Sequence, residues 1–435
     1  MTQAISTLKT PFWYNWLLAG IKPLYRWRLN KRSGHLADFQ NEITERFGPF
    51  QTPKNTQVIW FHAVSVGETN AAQPLIEYYL QQGQAVLVTN TTRTGQARAK
   101  SLFEQRYPKL FQAVFLPVDQ QYLVNAFIDR YQPKILLLME TELWPNLLQC
   151  VAEHNIPQLL LNARLSEKSA KGYAKFKRLT SPMLSQLSWI AAQDQATLQR
   201  FASLGQSTTS MSVVGNVKFD IAAPDWVAVQ AEQLHLDWQL TQRKVIVLAS
   251  THAPEEHQLL TELKATLQAD PSLLCIVVPR HPERFDEVFQ VAEQLGLNVK
   301  RRSLQQAVDA NTQVYLADSM GELWLWYALS QVAYVGGSLN EPGGGHNILE
   351  PVALGVATVL GKNYFNFQQI VDEFANNAAV DVVQDAQQAC QRFTELLNNV
   401  EQRQQRVQRA TTILQKNQGS LLRHIQLIDR FLQHS

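Results

Sequence analysis

Short runs of β-branched and aliphatic residues recur along this chain, each followed by a stretch of helical spacing, and they fall into two sets. The first set is 58–62, 85–89, 113–118, 134–139, 158–162, 189–192 and 212–215. The second is 245–249, 274–279, 298–301, 314–316, 332–336 and 358–360. Apolar strands separated by helices are strands covered on both faces, which implies parallel sheets between helix layers. A polar stretch with Pro224 and no strand pattern separates the sets. The expected architecture is α/β, with two doubly wound, Rossmann-like domains. The expected spans are an N-terminal segment 1–32, a first domain 33–221, a linker 222–243, and a second domain 244–435 that includes Gln-rich C-terminal helices. Domains of this kind bind ligands at the carboxyl ends of their strands, so the active site is expected in the cleft between two facing domains.

Composition narrows the classes. Hydrophobic residues make up 45% of the chain, enough for sizeable cores, which excludes disorder as the main theme. Lys and Arg number 39 against 37 Asp and Glu, for a net charge of +2. That balance argues against a dedicated nucleic-acid binder. The three cysteines, Cys150, Cys275 and Cys390, are too few and too scattered for a disulfide framework or a cysteine-built zinc site. They read as reduced, packed thiols of a cytosolic compartment.

Residues 11–32, PFWYNWLLAGIKPLYRWRLNKR, are unusual. The apolar run 12–21 is about half the ~20 residues that span a bilayer, and Lys22 and Pro23 interrupt it. No small-residue cleavage site follows, so it is a poor secretory signal. Trp13, Tyr14, Trp16, Tyr25 and Trp27 alternate with Lys22, Arg26, Arg28, Lys31 and Arg32. Aromatics favour the headgroup boundary and cations favour anionic lipid. The segment therefore reads as a shallow anchor on an anionic membrane surface, with a helix packed on its own domain as the plain alternative.

Five groups place chemistry after strands. In WFHAVSVGET, residues 60–69, Glu68 stands where a helix begins and can act as a general base toward a hydroxyl. Helix N-termini also favour Glu for their own reasons. In METELWPN, residues 139–146, Glu140 and Glu142 follow a strand and Pro145 opens a helix; either a substrate contact or an ion pair with Arg164 accounts for them. GNVKFD, residues 215–220, supplies Lys218, which can meet a departing phosphate or simply lie on the surface. VVPRHPERF, residues 277–285, sets Arg280, His281 and Arg284 at a strand end, where an anionic nucleotide would lie. VGGSLNEPGGGHNILEP, residues 335–351, is a strand, a glycine loop and a helix start near Asn347, with Glu350 able to grip a ribose diol. It is neither a P-loop nor a dinucleotide fingerprint.

Taken in this order, the groups resemble the Kdo transferase family, inverting glycosyltransferases of the GT-B architecture. The resemblance rests on SVGET at 65–69, METELWPN at 139–146, NARLS at 162–166, GNVKFD at 215–220, VPRHPERF at 278–285, MGELW at 320–324, GGHNILE at 344–350 and the later NF at 366–367. It implies transfer of 3-deoxy-D-manno-octulosonic acid (Kdo) from CMP-Kdo to a tetra-acylated lipid A precursor (lipid IVA) in lipopolysaccharide core biosynthesis. The place implied is the cytoplasmic face of the inner membrane. By resemblance Glu68 is the general base, and Glu140 and Lys218 stabilise the transition state. The CMP site maps onto Pro279 and Arg280, onto Met320, Gly321 and Glu322, and onto Asn347, Ile348, Leu349 and Glu350. No metal or other cofactor is implied, and no nucleic-acid partner. The alternatives are another nucleotide-sugar transferase or epimerase of the same architecture, or a non-catalytic module at a membrane. An epimerase gives no reason for the aromatic, basic N-terminal segment.

Overall fold

The structure is a computed structural model that describes residues 9–433. It forms two compact units, Met1–Asp220 with Gln418–Ser435, and Ile221–Asn417. Each is built on a seven-stranded, wholly parallel sheet.

In the first unit the strands are β1 (Ile59–His62), β2 (Val86–Asn90), β3 (Phe111–Phe115), β4 (Ile135–Met139), β5 (Gln158–Ala163), β6 (Trp189–Ala192) and β7 (Met211–Val213). Their order is β3-β2-β1-β4-β5-β6-β7. Successive residues of one strand serve two different cores. Trp60, Leu136 and Leu160 pack into one cluster, and Ile59, Phe61, Leu137 and Leu161 into another on the opposite face. That two-sided burial is why these strands read as continuous apolar runs rather than as alternating ones.

The second unit repeats the plan. Its strands are β8 (Lys244–Thr251), β9 (Leu273–Pro279), β10 (Val299–Arg301), β11 (Val314–Leu316), β12 (Val332–Val335), β13 (Ala357–Gly361) and β14 (Asp381–Val383), in the order β10-β11-β9-β8-β12-β13-β14. The order turns back between β1 and β4 in the first sheet and between β8 and β12 in the second, where in addition β11 lies inside β10. Such a reversal opens a crevice at the strands' carboxyl ends. Strand β14 has no counterpart among the expected strands.

Two expected boundaries are corrected. Residues 222–243 are not a free linker. They hold the helix Asp225–Asp237, whose Val227 is buried and whose Ala231 and Leu234 are half-buried, and then Trp238 and Leu240, which enter a core of the second unit. The C-terminal helices do not all belong to the second unit. Ala386–Asn398 and Val400–Asn417 do, but the last helix, Ser420–Leu432, buries Ile425, Leu427 and Ile428 in the first unit's core. Asp220, the last residue of the leading stretch, accepts hydrogen bonds from the Gly419 and Leu421 amides (2.5 and 2.6 Å) and so starts that helix.

Of the N-terminal segment, 1–8 lie outside the described residues, and Phe12–Ser33 is one helix. Its inner face is pinned to the first unit. The Tyr14 hydroxyl donates to Asp119 (2.9 Å), the Thr10 amide donates to Gln149 (2.7 Å), and Leu29 is buried. Its outer face exposes Phe12, Trp16, Leu17, Leu24 and Trp27. Among the described residues no helix is long and apolar enough to cross a membrane.

Candidate active site

In the first unit, the carboxyl ends of β1 and β4 carry three carboxylates. Helix Val66–Gln81 follows β1, with Ser65 as its cap: the Ser65 hydroxyl accepts from the Glu68 amide (3.4 Å). The Glu68 carboxylate reaches back to accept from the Val64 amide (2.7 Å) and the Ser65 hydroxyl (3.1 Å). This is the capping-box exchange, shifted by one residue at the amide. The helix start therefore explains where Glu68 stands, but not its charge state. Burial pushes its carboxyl up to about 7, against the pull of the Val64 amide, and the charges of Glu142 and Glu140 push it further. Burial also raises Glu142, and the charge of Glu140 adds to that.

Glu140 ends β4 in a left-handed conformation, φ +56°, uncommon for a residue with a side chain. Two backbone bonds hold it there: its amide donates to the Leu161 carbonyl (3.0 Å) and its carbonyl accepts from the Arg164 amide (3.3 Å). Its side chain accepts from the Lys218 ammonium (3.2 Å). The ion pair with Arg164 does not form; Glu140 pairs instead with Lys218, a partner neither reading of METELWPN named. Lys218 sits on the short turn Val217–Phe219. Asn162 fixes that turn by accepting from the Val217 amide (3.2 Å). Asn162 is held in turn by His424 of the last helix, whose Nε2 accepts its amide (3.0 Å). Thus NARLS and GNVKFD meet through Asn162. His62, at the end of β1, is a core histidine: burial lowers it to about 4, and its Nδ1 contacts Thr89.

In the second unit the expected nucleotide residues gather at the ends of neighbouring strands. Pro279 closes β9 and Arg280 follows it, exposed. Met320, Gly321 and Glu322 follow β11; Met320 is exposed and Gly321 has φ +85°. Glu322 is engaged by Arg302 through two bonds (2.6 and 3.1 Å). Asn347–Glu350 follow the glycine loop. The helix there, Leu349–Ala353, starts two residues later than expected and is only five residues long. Ile348 and Leu349 are fully buried, main chain and side chain alike. Burial raises the Glu350 carboxyl to about 6, and the Asn347 amide (3.4 Å) moderates the shift. Arg284, expected among the anion-facing cations, is spent elsewhere: it grips buried Glu256 with two bonds (2.7 and 3.2 Å) and Glu287 with two more (3.0 and 3.3 Å).

Glu255 organises the loop and was not anticipated. Fully buried, its carboxylate accepts from the amides of His252, Gly337, Ser338 and Leu339 and from the Tyr334 hydroxyl, all at 2.7–2.9 Å. The adjacent acids of THAPEE after β8 carried a signal, but acids at a helix start are ordinary. The loop's glycines are sterically required. Gly344, at φ +123°, leaves no room for a Cβ against Asn366, which ties the loop to the NF pair.

Comparison with known proteins agrees with this layout. Residues 41–221 match the family model described as 3-deoxy-D-manno-octulosonic-acid transferase (kdotransferase), and 236–412 match that of glycosyl transferases group 1. The 3-deoxy-D-manno-octulosonic acid transferase of Haemophilus influenzae is 37% identical over 98% of this chain and 99% of its own. A solved structure, the C-terminal CMP-Kdo binding domain of WaaA from Acinetobacter baumannii, is 59% identical over 44% of this chain and 98% of its own, with a TM-score of 0.43. A glycosyltransferase from Rickettsia africae shares the fold at 14% identity, covering 88% of this chain and 100% of its own, with a TM-score of 0.51. The two parallel-sheet units are thus those of a GT-B-like glycosyltransferase, and the chain belongs to the 3-deoxy-D-manno-octulosonic acid transferase family.

Proposed function

We propose that this Kdo transferase uses CMP-Kdo as donor and a tetra-acylated lipid A precursor, lipid IVA, as acceptor, with inversion at the anomeric carbon and without a metal ion. The observation that carries the reading is Glu68, a partly buried carboxylate with a pKa of about 7 beside Glu140 and Glu142. A general base works best when its pKa is near the working pH. The acceptor oxygen attacks the anomeric carbon and its proton passes to Glu68. The anomeric C–O bond to CMP breaks, and its electron pair goes to the phosphate. Attack opposite the leaving group gives inversion. Glu140 stabilises the positive charge that builds on the sugar, and Lys218, already paired with Glu140, meets the negative charge on the phosphate. Pro279 and Arg280, the 320–322 turn and residues 347–350 hold the CMP.

A lipid acceptor requires a membrane surface. The outer face of Phe12–Ser33, with its exposed aromatics and the cations Lys31 and Arg32 in its last turn, supports attachment to anionic lipid at the cytoplasmic face of the inner membrane. The test is CMP-Kdo and lipid IVA with the full chain, read by mass spectrometry of the lipid. Wild-type protein should add Kdo, also in excess EDTA. Glu68→Gln should lower turnover about a hundredfold or more while leaving CMP affinity within about twofold. No heavier lipid from the wild type defeats the reading, and near-normal turnover by Glu68→Gln removes Glu68 as base.

A further inference from the structure

Three imidazoles converge at the carboxyl ends of three neighbouring segments of the second unit: His252 after β8, His281 after β9, and His346 in the glycine loop after β12. His252 and His346 stack, with ring centroids 5.1 Å apart and planes 14° from parallel, and their Nε2 atoms lie 2.8 Å apart. His281 stands edge-on to His252 at 5.0 Å. Gly337, at φ +67°, makes this approach possible, because a Cβ there would stand 2.9 Å from the His346 ring. At 2.8 Å one Nε2 must donate and the other accept. The pair can gain one further proton on an outer nitrogen and keep this bond. A second would set two N–H groups against each other. The pair is therefore built to hold at most one positive charge.

Its surroundings disfavour a positive charge on it. Burial lowers His346 to about 4, and His252, Arg280 and His281 push the same way. His252 is lowered by burial above all, with Glu255 and Glu256 opposing and His281 and Arg280 assisting. Glu256 is paired with Arg284, whereas the Glu255 carboxylate is held by five neutral donors that leave its charge in place. His281 has Glu283 at 3.7 Å.

We propose that the His252–His346 pair, flanked by His281 and Arg280, is a proton-accepting cradle for the departing phosphate, taking up one proton as the donor's phosphodiester becomes free CMP. This rests on the reading of CMP as the leaving nucleotide. Cleavage breaks the anomeric C–O bond and leaves both electrons on the phosphate oxygen, so the phosphate goes from one negative charge to two. The acceptor's proton goes to Glu68, and the proton gained by the imidazole pair comes from water and offsets the new charge. The cradle thus favours the product dianion over the donor monoanion and assists departure.

The probe is CMP itself, bound to the full chain and followed by calorimetry at pH 7.0 in two buffers of different ionisation enthalpy. A phosphate monoester has its second pKa at about 6, so CMP is mostly dianionic there; bound as the dianion it releases at most about a tenth of a proton, and bound as the monoanion it takes one up. Uptake that the histidine variants lose belongs to the imidazole pair, and uptake they keep belongs to the phosphate. Wild type should take up about half a proton or more per CMP, and its affinity should fall by up to about tenfold per pH unit above 7. His252→Gln and His346→Gln should bind CMP more weakly with little proton uptake. Tight binding without uptake by the wild type overturns the inference, as does uptake that persists in both variants. Absence of CMP binding overturns the CMP site itself, a result separable from either.

Discussion

At Glu68 the same bonds that start a helix hold a carboxylate ready to titrate near neutrality. Burial raises it and the Val64 amide opposes, with Glu142 and Glu140 adding to the rise. If Glu68 is the base, kcat/KM should rise with pH through about 7, as the ionised form accumulates. Glu142→Gln removes a neighbouring negative charge, which favours ionised Glu68, so the rising limb should move to lower pH. A pH–rate profile for the two proteins checks this, and an unmoved or alkaline-shifted limb counts against it. At this scale the sequence was informative about residue type and position in Glu68, Glu140, Lys218 and Arg280. It was silent on partners. That Lys218 answers Glu140 rather than Arg164 doing so depends on the turn that Asn162 holds, 56 residues before Lys218 in the chain. Arg284 shows the reverse: a cation at a strand end whose partner, Glu256, lies on a different helix and leaves it no charge to offer.

Among the elements, the helix Phe12–Ser33 has two faces that answer to different environments. Tyr14 and Leu29 tie one face to the first unit, and Phe12, Trp16, Leu24 and Trp27 leave roughly half the circumference apolar and exposed. A helix this exposed buries too little on its own protein to explain its composition. Deletion of 1–32 should shift the protein from the membrane pellet to the supernatant in fractionated cells, while a point change in the soluble face should not. An unchanged distribution would remove the anchoring role. The packed-helix reading holds for one face only, and the other face stays exposed, because a period of 3.6 residues lets one helix present two surfaces. The glycine loop was legible as an element, from the strand before it to the turn of Gly343–Gly345. Its helix proved shorter than the pattern implied, and its organiser, Glu255, lies some 80 residues earlier in the chain, beyond the reach of local reasoning.

For the whole molecule, the chain's end returns to the unit in which it began. Ile425, Leu427 and Ile428 of the last helix are buried in the first unit, Asp220 starts that helix, and His424 supports the Asn162 that sets Lys218. Burying one such aliphatic side chain contributes about 1.5–3 kcal/mol, so truncation after Asn417 should remove about 5 kcal/mol or more from the first unit. That is comparable to a typical domain's entire stability. Calorimetry should show the transition of the first unit lost or strongly lowered and that of Ile221–Asn417 retained; equal loss of both would refute the assignment. Two parallel sheets, their strand positions and the residue types at their ends followed from local composition, because a strand buried on both faces must be apolar wherever it occurs. Which sheet the last helix covers, that 225–240 packs rather than links, and which charges are paired or left for a ligand were decided only by the tertiary structure. Those outcomes depend on contacts between residues far apart in sequence, and no local pattern records them.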